Sequence, residues 1–137
     1  MEQVLEFATN NIALVSVWFV LLALFILSET RKGGKTLSTQ QTVMKMNKEG
    51  AVILDIRDKA DFKKGHILNA INIPFASLAN KLGEIEPHKA KPIIVVCKMG
   101  QTSNAAGAIL RKNGFEDVSR LSGGMAEWTS LNLPVES

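Results

Sequence analysis

Residues 7–28 carry no charged side chain, and between Ile12 and Leu27 almost every residue is apolar. A solvated surface helix needs a polar stripe, and between those two residues Ser16 is the only hydroxyl. As a helix the 22 residues of this run would extend roughly 33 Å, enough to cross the hydrocarbon core of a bilayer. A cleaved signal peptide would open on a basic region and close on a small-residue site. Here the leading flank holds Glu2 and Glu6 without Lys or Arg, and Leu27-Ser28-Glu29 lacks that site. The pattern predicts an N-terminal flank over 1–6, one uncleaved transmembrane helix over 7–28, a basic linker over 29–35 and a folded domain over 36–135.

The flanking charges predict an orientation. Arg31, Lys32 and Lys35 follow the apolar run and no cation precedes it. The positive-inside rule then places the N-terminus outside and the C-terminal domain in the cytoplasm of a single-pass protein of the inner cell membrane. Cysteine usage agrees with that side. Cys97 is the single cysteine, so it has no internal disulfide partner, and a reducing compartment keeps it free. Residues 29–137 hold all 16 Lys and Arg against 11 Asp and Glu, a net charge of +5. These cations are scattered and not interleaved with aromatic residues, which argues against nucleic acid as a partner and fits a surface near anionic headgroups.

After Gly33-Gly34, read as a flexible linker, Ser38 and Gln41 match a capping box for a helix running to about Lys48 and closing at Gly50. Ala51 to Asp55 is a short, nearly continuous apolar run, as expected of a strand buried on both faces. Asp58 caps a short helix that contains Phe62 and stops at Gly65. Residues 70–73 form another strand, ended by Pro74, and a helix follows over about 77–82. Ile93 to Val96 repeats the buried-strand pattern. A helix over 103–112, a strand over 117–121 and a final helix after Gly123-Gly124 complete the chain. In the helix over 103–112, Gly107 is explained by close packing against a sheet. Strands alternating with helices predict an α/β fold with a largely parallel sheet.

The chemistry concentrates at Cys97-Lys98-Met99-Gly100-Gln101-Thr102-Ser103, where a β-branched strand ends on the cysteine and a short loop leads into a helix. A free thiol is only about 3% thiolate at neutral pH. Inward-pointing N–H groups at a helix start favour the anion. A lone cysteine behind an apolar strand is otherwise a small buried hydrophobe. The carboxyl edge of a parallel sheet is where such folds place their sites. The two histidines and one cysteine lack metal-ligand spacing, so no metal is expected. Neither a Walker loop nor a dinucleotide fingerprint is present, and no cofactor is expected.

Four segments, taken together, resemble a single rhodanese-like (sulfurtransferase) domain: Leu54-Asp55-Ile56-Arg57, Gly65-His66-Ile67-Leu68-Asn69-Ala70-Ile71-Asn72-Ile73-Pro74, the cysteine loop, and Gly123-Gly124-Met125-Ala126-Glu127-Trp128. The arrangement is similar to that of membrane-anchored, single-domain bacterial members. The resemblance implies a sheet of about five strands flanked by helices. It also implies a persulfide formed on Cys97 from a donor such as thiosulfate or another persulfide, and passed to a thiol or cyanide. Substrate would meet Lys98, Met99, Gly100, Gln101, Thr102 and Ser103. Asp55 and Arg57 would brace the loop or else contact substrate directly, and His66 would support the site through structural hydrogen bonds or else act as a base. Lys98 either adds charge at the mouth or is a solvated lysine, and the hydroxyls of Thr102 and Ser103 either donate to sulfur or cap the helix.

One departure bears on the substrate. Many thiosulfate-using members of this family carry an arginine where this chain has Thr102, and that arginine grips a sulfonate bidentately. A cysteine phosphatase needs an arginine at the place of Ser103, so phosphatase chemistry is disfavoured. The alternative to an enzyme is a catalytically weak or inactive interaction module that recruits a membrane-protein partner. For that reading, Ala13, Ser16 and Ala23 offer close helix packing in the apolar run.

Overall fold

The computed structural model describes residues 1–31 and 33–137, and of 29–31 the backbone alone. Lys32, and the side chain of Arg31, both counted in the basic flank, therefore lie outside the described residues. The chain divides into two compact units, Met1–Arg31 and Lys32–Ser137.

The first unit is two helices, α1 (Glu2–Asn10) and α2 (Ile12–Arg31), where a single helix over 7–28 was expected. The break falls at Asn11, whose backbone N–H and side-chain amide both donate to Phe7 O, at 3.1 and 3.0 Å. Asparagine competes for backbone acceptors in this way and ends helices. No single helix among the described residues is long and apolar enough to cross a membrane; Glu2–Asn10 and Ile12–Ser28 pass that test only as a pair, bent by 89°.

The second unit holds a five-stranded parallel sheet in the order β1-β5-β4-β2-β3. Its strands are β1 (Lys35–Leu37), β2 (Val52–Asp55), β3 (Ile71–Asn72), β4 (Ile93–Val96) and β5 (Val118–Leu121). Helix α3 (Thr39–Glu49) opens with the expected capping box: Gln41 N donates to Ser38 Oγ at 3.2 Å and Ser38 N to Gln41 Oε1 at 3.0 Å. It closes at Gly50 in the left-handed region. Helices α4 (Lys59–Lys64), α5 (Ser103–Lys112) and α6 (Gly124–Ser130) complete the unit. Asp58 stands at the N-cap of α4, yet its side chain makes no capping bond. Between Phe75 and His88 the chain forms three short 3-10 turns instead of one α-helix over 77–82.

Strand alternation builds two cores. Leu54, Ile93, Val95, Cys97, Leu110 and Phe115 pack on one face. Ile53, Ile94, Val96, Leu121, Met125 and Trp128 pack on the other. All four residues of β4 are fully buried, because helices cover both sides of a parallel sheet. Cys97 continues the facing of Ile93 and Val95, so the pleat itself aims its side chain.

The edge strand β1 was not legible as a strand. Its Lys35, Thr36 and Leu37 pair with Ser119, Arg120 and Leu121. Gly33, expected in a flexible linker, is buried and donates its N–H to Asn104 Oδ1 at 3.0 Å. Gly107 answers to this contact and not to the sheet: a Cβ there would lie 2.2 Å from Gly33 O. Gly107→Ala would gain about 1 kcal/mol in helix propensity but overpack by about 1–3 kcal/mol. We expect a net loss of about 1 kcal/mol, seen as a lower urea midpoint for a 32–137 fragment. An unchanged or raised midpoint would show that β1 docks without this contact.

Candidate active site

The site lies at the carboxyl edge of the sheet, where β4 ends and α5 begins. Gly100 has φ +87°, a left-handed conformation that glycine adopts without strain. The turn brings Gly100 N to 2.8 Å from Cys97 Sγ, donating to the sulfur. Cys97 is 4% exposed and makes no disulfide. Burial pushes its thiol pKa up. The N–H and hydroxyl of Thr102, with the N–H groups of Ser103 and Gly100, push it down and prevail, leaving it below the usual thiol value. The sulfur thus sits in a partly apolar cup whose open donors favour the anion.

The loop's carbonyls are held away from the sulfur. Met125 N donates to Cys97 O and Ala126 N to Lys98 O, both at 2.9 Å. The Ser103 hydroxyl donates to Gly100 O at 3.0 Å. Ser103 is therefore the first residue of α5, tying the loop closed, and not its cap; Thr102 occupies the N-cap and makes no side-chain capping bond. Gly124, legible in the sequence only as part of the pair that opens the last helix, belongs to the site. It has φ +57°, and a Cβ on it would lie 2.2 Å from Cys97 O. The available signal was the glycine pair at the start of α6. Lys98, Met99, Gln101 and Thr102 are exposed around the sulfur.

Asp55 and Arg57 form a buried brace beside the loop. Arg57 Nη2 lies 2.7 Å from Asp55 Oδ2, and Nε lies 3.0 Å from Oδ1. Arg57 N donates to Asp55 Oδ1 at 3.0 Å and Arg57 Nη2 to Gly65 O at 2.8 Å. Asn72 Nδ2 donates to the carbonyls of both Asp55 and Arg57 at 3.0 Å. The brace reaches the cysteine strand through Ile56 N, which donates to Val96 O at 2.9 Å. Removing one partner of such a pair is costly, because a buried charge is left alone.

His66 belongs to a different cluster. Its Nδ1 lies 2.8 Å from Phe62 O, its ring stacks on Phe62 at 3.7 Å, and its Nε2 lies 3.5 Å from Glu136 Oε1. Its backbone pairs with Glu136 in an antiparallel bridge. These partners lie in α4 and the C-terminal tail, so the histidine holds the tail and not the sulfur. Among the described residues, no group of three or more His, Cys, Asp or Glu side chains is placed to hold a metal ion.

The Thr102 hydroxyl is the part of the cup that a single substitution can remove. Thr102→Val is expected to raise the Cys97 pKa, and Thr102→Ser to preserve it. Because the thiolate is the form that alkylates, the midpoint of iodoacetamide rate against pH should move up in the valine variant only. A pKa lowered on folding also stabilises the fold above the free-thiol pKa, and that gain is lost as pH falls through the folded value. Identical pH profiles for wild type and Thr102→Val would exclude a role for the hydroxyl.

Comparison with known proteins agrees with this geometry. The Rhodanese-like domain family matches residues 39–131. The uncharacterized protein YibN of Escherichia coli is 34% identical, over 98% of this chain and 97% of that protein. The thiosulfate sulfurtransferase GlpE of Shewanella oneidensis is 37% identical, over 72% of this chain and 95% of GlpE. A rhodanese-related protein from Thermoplasma volcanium superposes with a TM-score of 0.68 at 26% identity, covering 75% of this chain and 98% of that structure. With a cysteine cup at the end of its central strand and a family match across most of its second unit, this chain belongs to the rhodanese-like domain family.

Proposed function

We propose that the protein is a membrane-tethered sulfurtransferase that carries sulfane sulfur on Cys97. The observation that carries the reading is the cup itself: Gly100 N donates to Sγ at 2.8 Å, and the N–H groups of Thr102 and Ser103 also reach the sulfur and favour its anion despite burial. In the first step the Cys97 thiolate attacks the outer sulfur of thiosulfate or a persulfide. The new bond joins Sγ to that sulfur, and the donor's own S–S bond breaks. Sulfite or a thiolate leaves with the electron pair. In the second step an acceptor thiolate, or cyanide, attacks the sulfane sulfur, and Cys97 departs as thiolate. Each step ends on an anion at or beside Sγ, which is where the N–H groups of Gly100, Thr102 and Ser103 are aimed. GlpE, a thiosulfate sulfurtransferase, is similar over most of this domain. A pure interaction module would need neither the thiol nor the donors, which favours the enzyme over that alternative.

Membrane tethering rests on the first unit. From Val17 to Leu22 and again from Leu24 to Leu27, consecutive large apolar side chains are 39–65% exposed. Consecutive positions cover the whole circumference of a helix, so α2 presents apolar surface in every direction. A lipid surround relieves that exposure. The sequence charges support an orientation with the C-terminal domain in the cytoplasm of a single-pass inner-membrane protein.

Two measurements test the proposal. A 32–137 fragment incubated with thiosulfate, and separately with a low-molecular-weight persulfide, should gain the mass of one sulfur atom and release it as thiocyanate on adding cyanide. Cys97→Ala should gain nothing. No adduct from either donor on a folded fragment would reject the enzyme. In intact cells, a membrane-impermeant thiol reagent should leave Cys97 unlabelled until the membrane is opened; labelling of closed cells would reverse the orientation.

A further inference from the structure

A second recess opens on the same edge of the sheet as the cysteine loop. It has a volume of about 380 Å³ and lies between α4, the end of β3 and the 3-10 turns. Three cations line it: Lys59 and Lys63 on successive turns of α4, and Lys81 across the gap. All three are exposed, and none makes an ion pair or side-chain hydrogen bond among the described residues. Glu84 is the single acid in the lining, so the recess carries a net charge of +2. Like charges four residues apart disfavour a helix, and α4 has only six residues. That cost is relieved by an anion between them.

The remaining lining argues for the kind of anion. Phe62 and Pro74 give the recess an apolar floor. Asn72 spends its amide N–H groups on the carbonyls of Asp55 and Arg57, which leaves its Oδ1 as an acceptor. A small oxyanion brings no apolar surface, and one without a hydroxyl brings no donor for that oxygen. It also fills little of a recess of about 380 Å³. A peptide segment brings backbone N–H groups, apolar side chains and, if acidic, the carboxylates that three lysines require. In a parallel sheet β3 and β4 lie on either side of β2, so the recess starts about 10 Å from the cysteine strand.

We propose that this recess docks an acidic, partly apolar segment of a partner protein beside the Cys97 loop. Binding brings the partner's own thiol or persulfide within reach of Sγ. That the partner exchanges sulfur with Cys97 rests on the sulfurtransferase reading; the preference of the recess for an acidic peptide does not. A docking site of this kind supplies, from the side, part of the charge recognition that an arginine in place of Thr102 would have supplied at the sulfur.

The test uses the full chain in nonionic detergent and a fluorescein-labelled hexapeptide of four glutamates and two leucines. Its glutamine counterpart is the control. At low salt, fluorescence anisotropy should show the acidic peptide binding about tenfold more tightly. The preference should persist in Cys97→Ala and vanish in the double variant Lys59→Glu, Lys63→Glu. It should survive Lys112→Glu, which alters the net charge at the far end of α5. Equal affinity for the two peptides would overturn the proposal. So would equal weakening by Lys112→Glu, or displacement at matched charge by inorganic phosphate or phosphatidylglycerol, which would make the recess a general anion or lipid-headgroup site. Loss of persulfide formation with peptide binding intact would reject the sulfurtransferase reading alone.

Discussion

The cysteine cup exists because the carbonyls of its loop are taken elsewhere. Cys97 O and Lys98 O accept from the first turn of α6, and Gly100 O accepts from the Ser103 hydroxyl. With those three carbonyls fixed, the turn brings the N–H groups of Gly100, Thr102 and Ser103 to the sulfur. Without α6 at van der Waals distance, the same loop would be free to present oxygen to the thiol. Gly124 is the condition for that approach, since any side chain would strike Cys97 O.

Two opposing influences decide the state of the thiol. Cys97 packs among Leu54, Val95 and Ala106, which disfavours charge. The donors at its other side favour it and win. A buried thiol whose pKa lies below the usual thiol value suits the proposed carrier of sulfane sulfur: the apolar side would shield a persulfide from solvent, and the polar side would receive charge as it moves. The Asp55–Arg57 pair plays a complementary part. It contributes less by its own strength than by leaving only one arrangement in which both charges are satisfied, and that arrangement holds the end of β2 against β4 through Ile56 and Val96.

Much of this could be read in the sequence, and the failures share a cause. The capping box at Ser38, the buried strands around Ile53 and Ile94, the helix after Ser103 and the cysteine's place at a strand end are all local patterns. The misses depend on partners far along the chain. Three residues from Lys35 make a strand only because β5 lies beside them. Gly33 looks like linker until Asn104 and Gly107 meet it. Glu136 was assigned to no element, yet it closes the C-terminal tail onto His66. The break at Asn11 is the exception: its signal was local, in two successive asparagines, but the apolar run around it dominated the reading.

The sequence by itself determined the parallel α/β character, the separation of an apolar N-terminal segment from a mixed domain, and the position of one thiol at a strand-to-helix turn. Periodicity and capping act within a few residues, so they survive without a fold. Tertiary structure decided which backbone groups face that thiol, which glycines are obligatory, and how three lysines from two distant segments come to share one recess. Those properties depend on pairs of segments well separated in the chain, and only packing brings such pairs together.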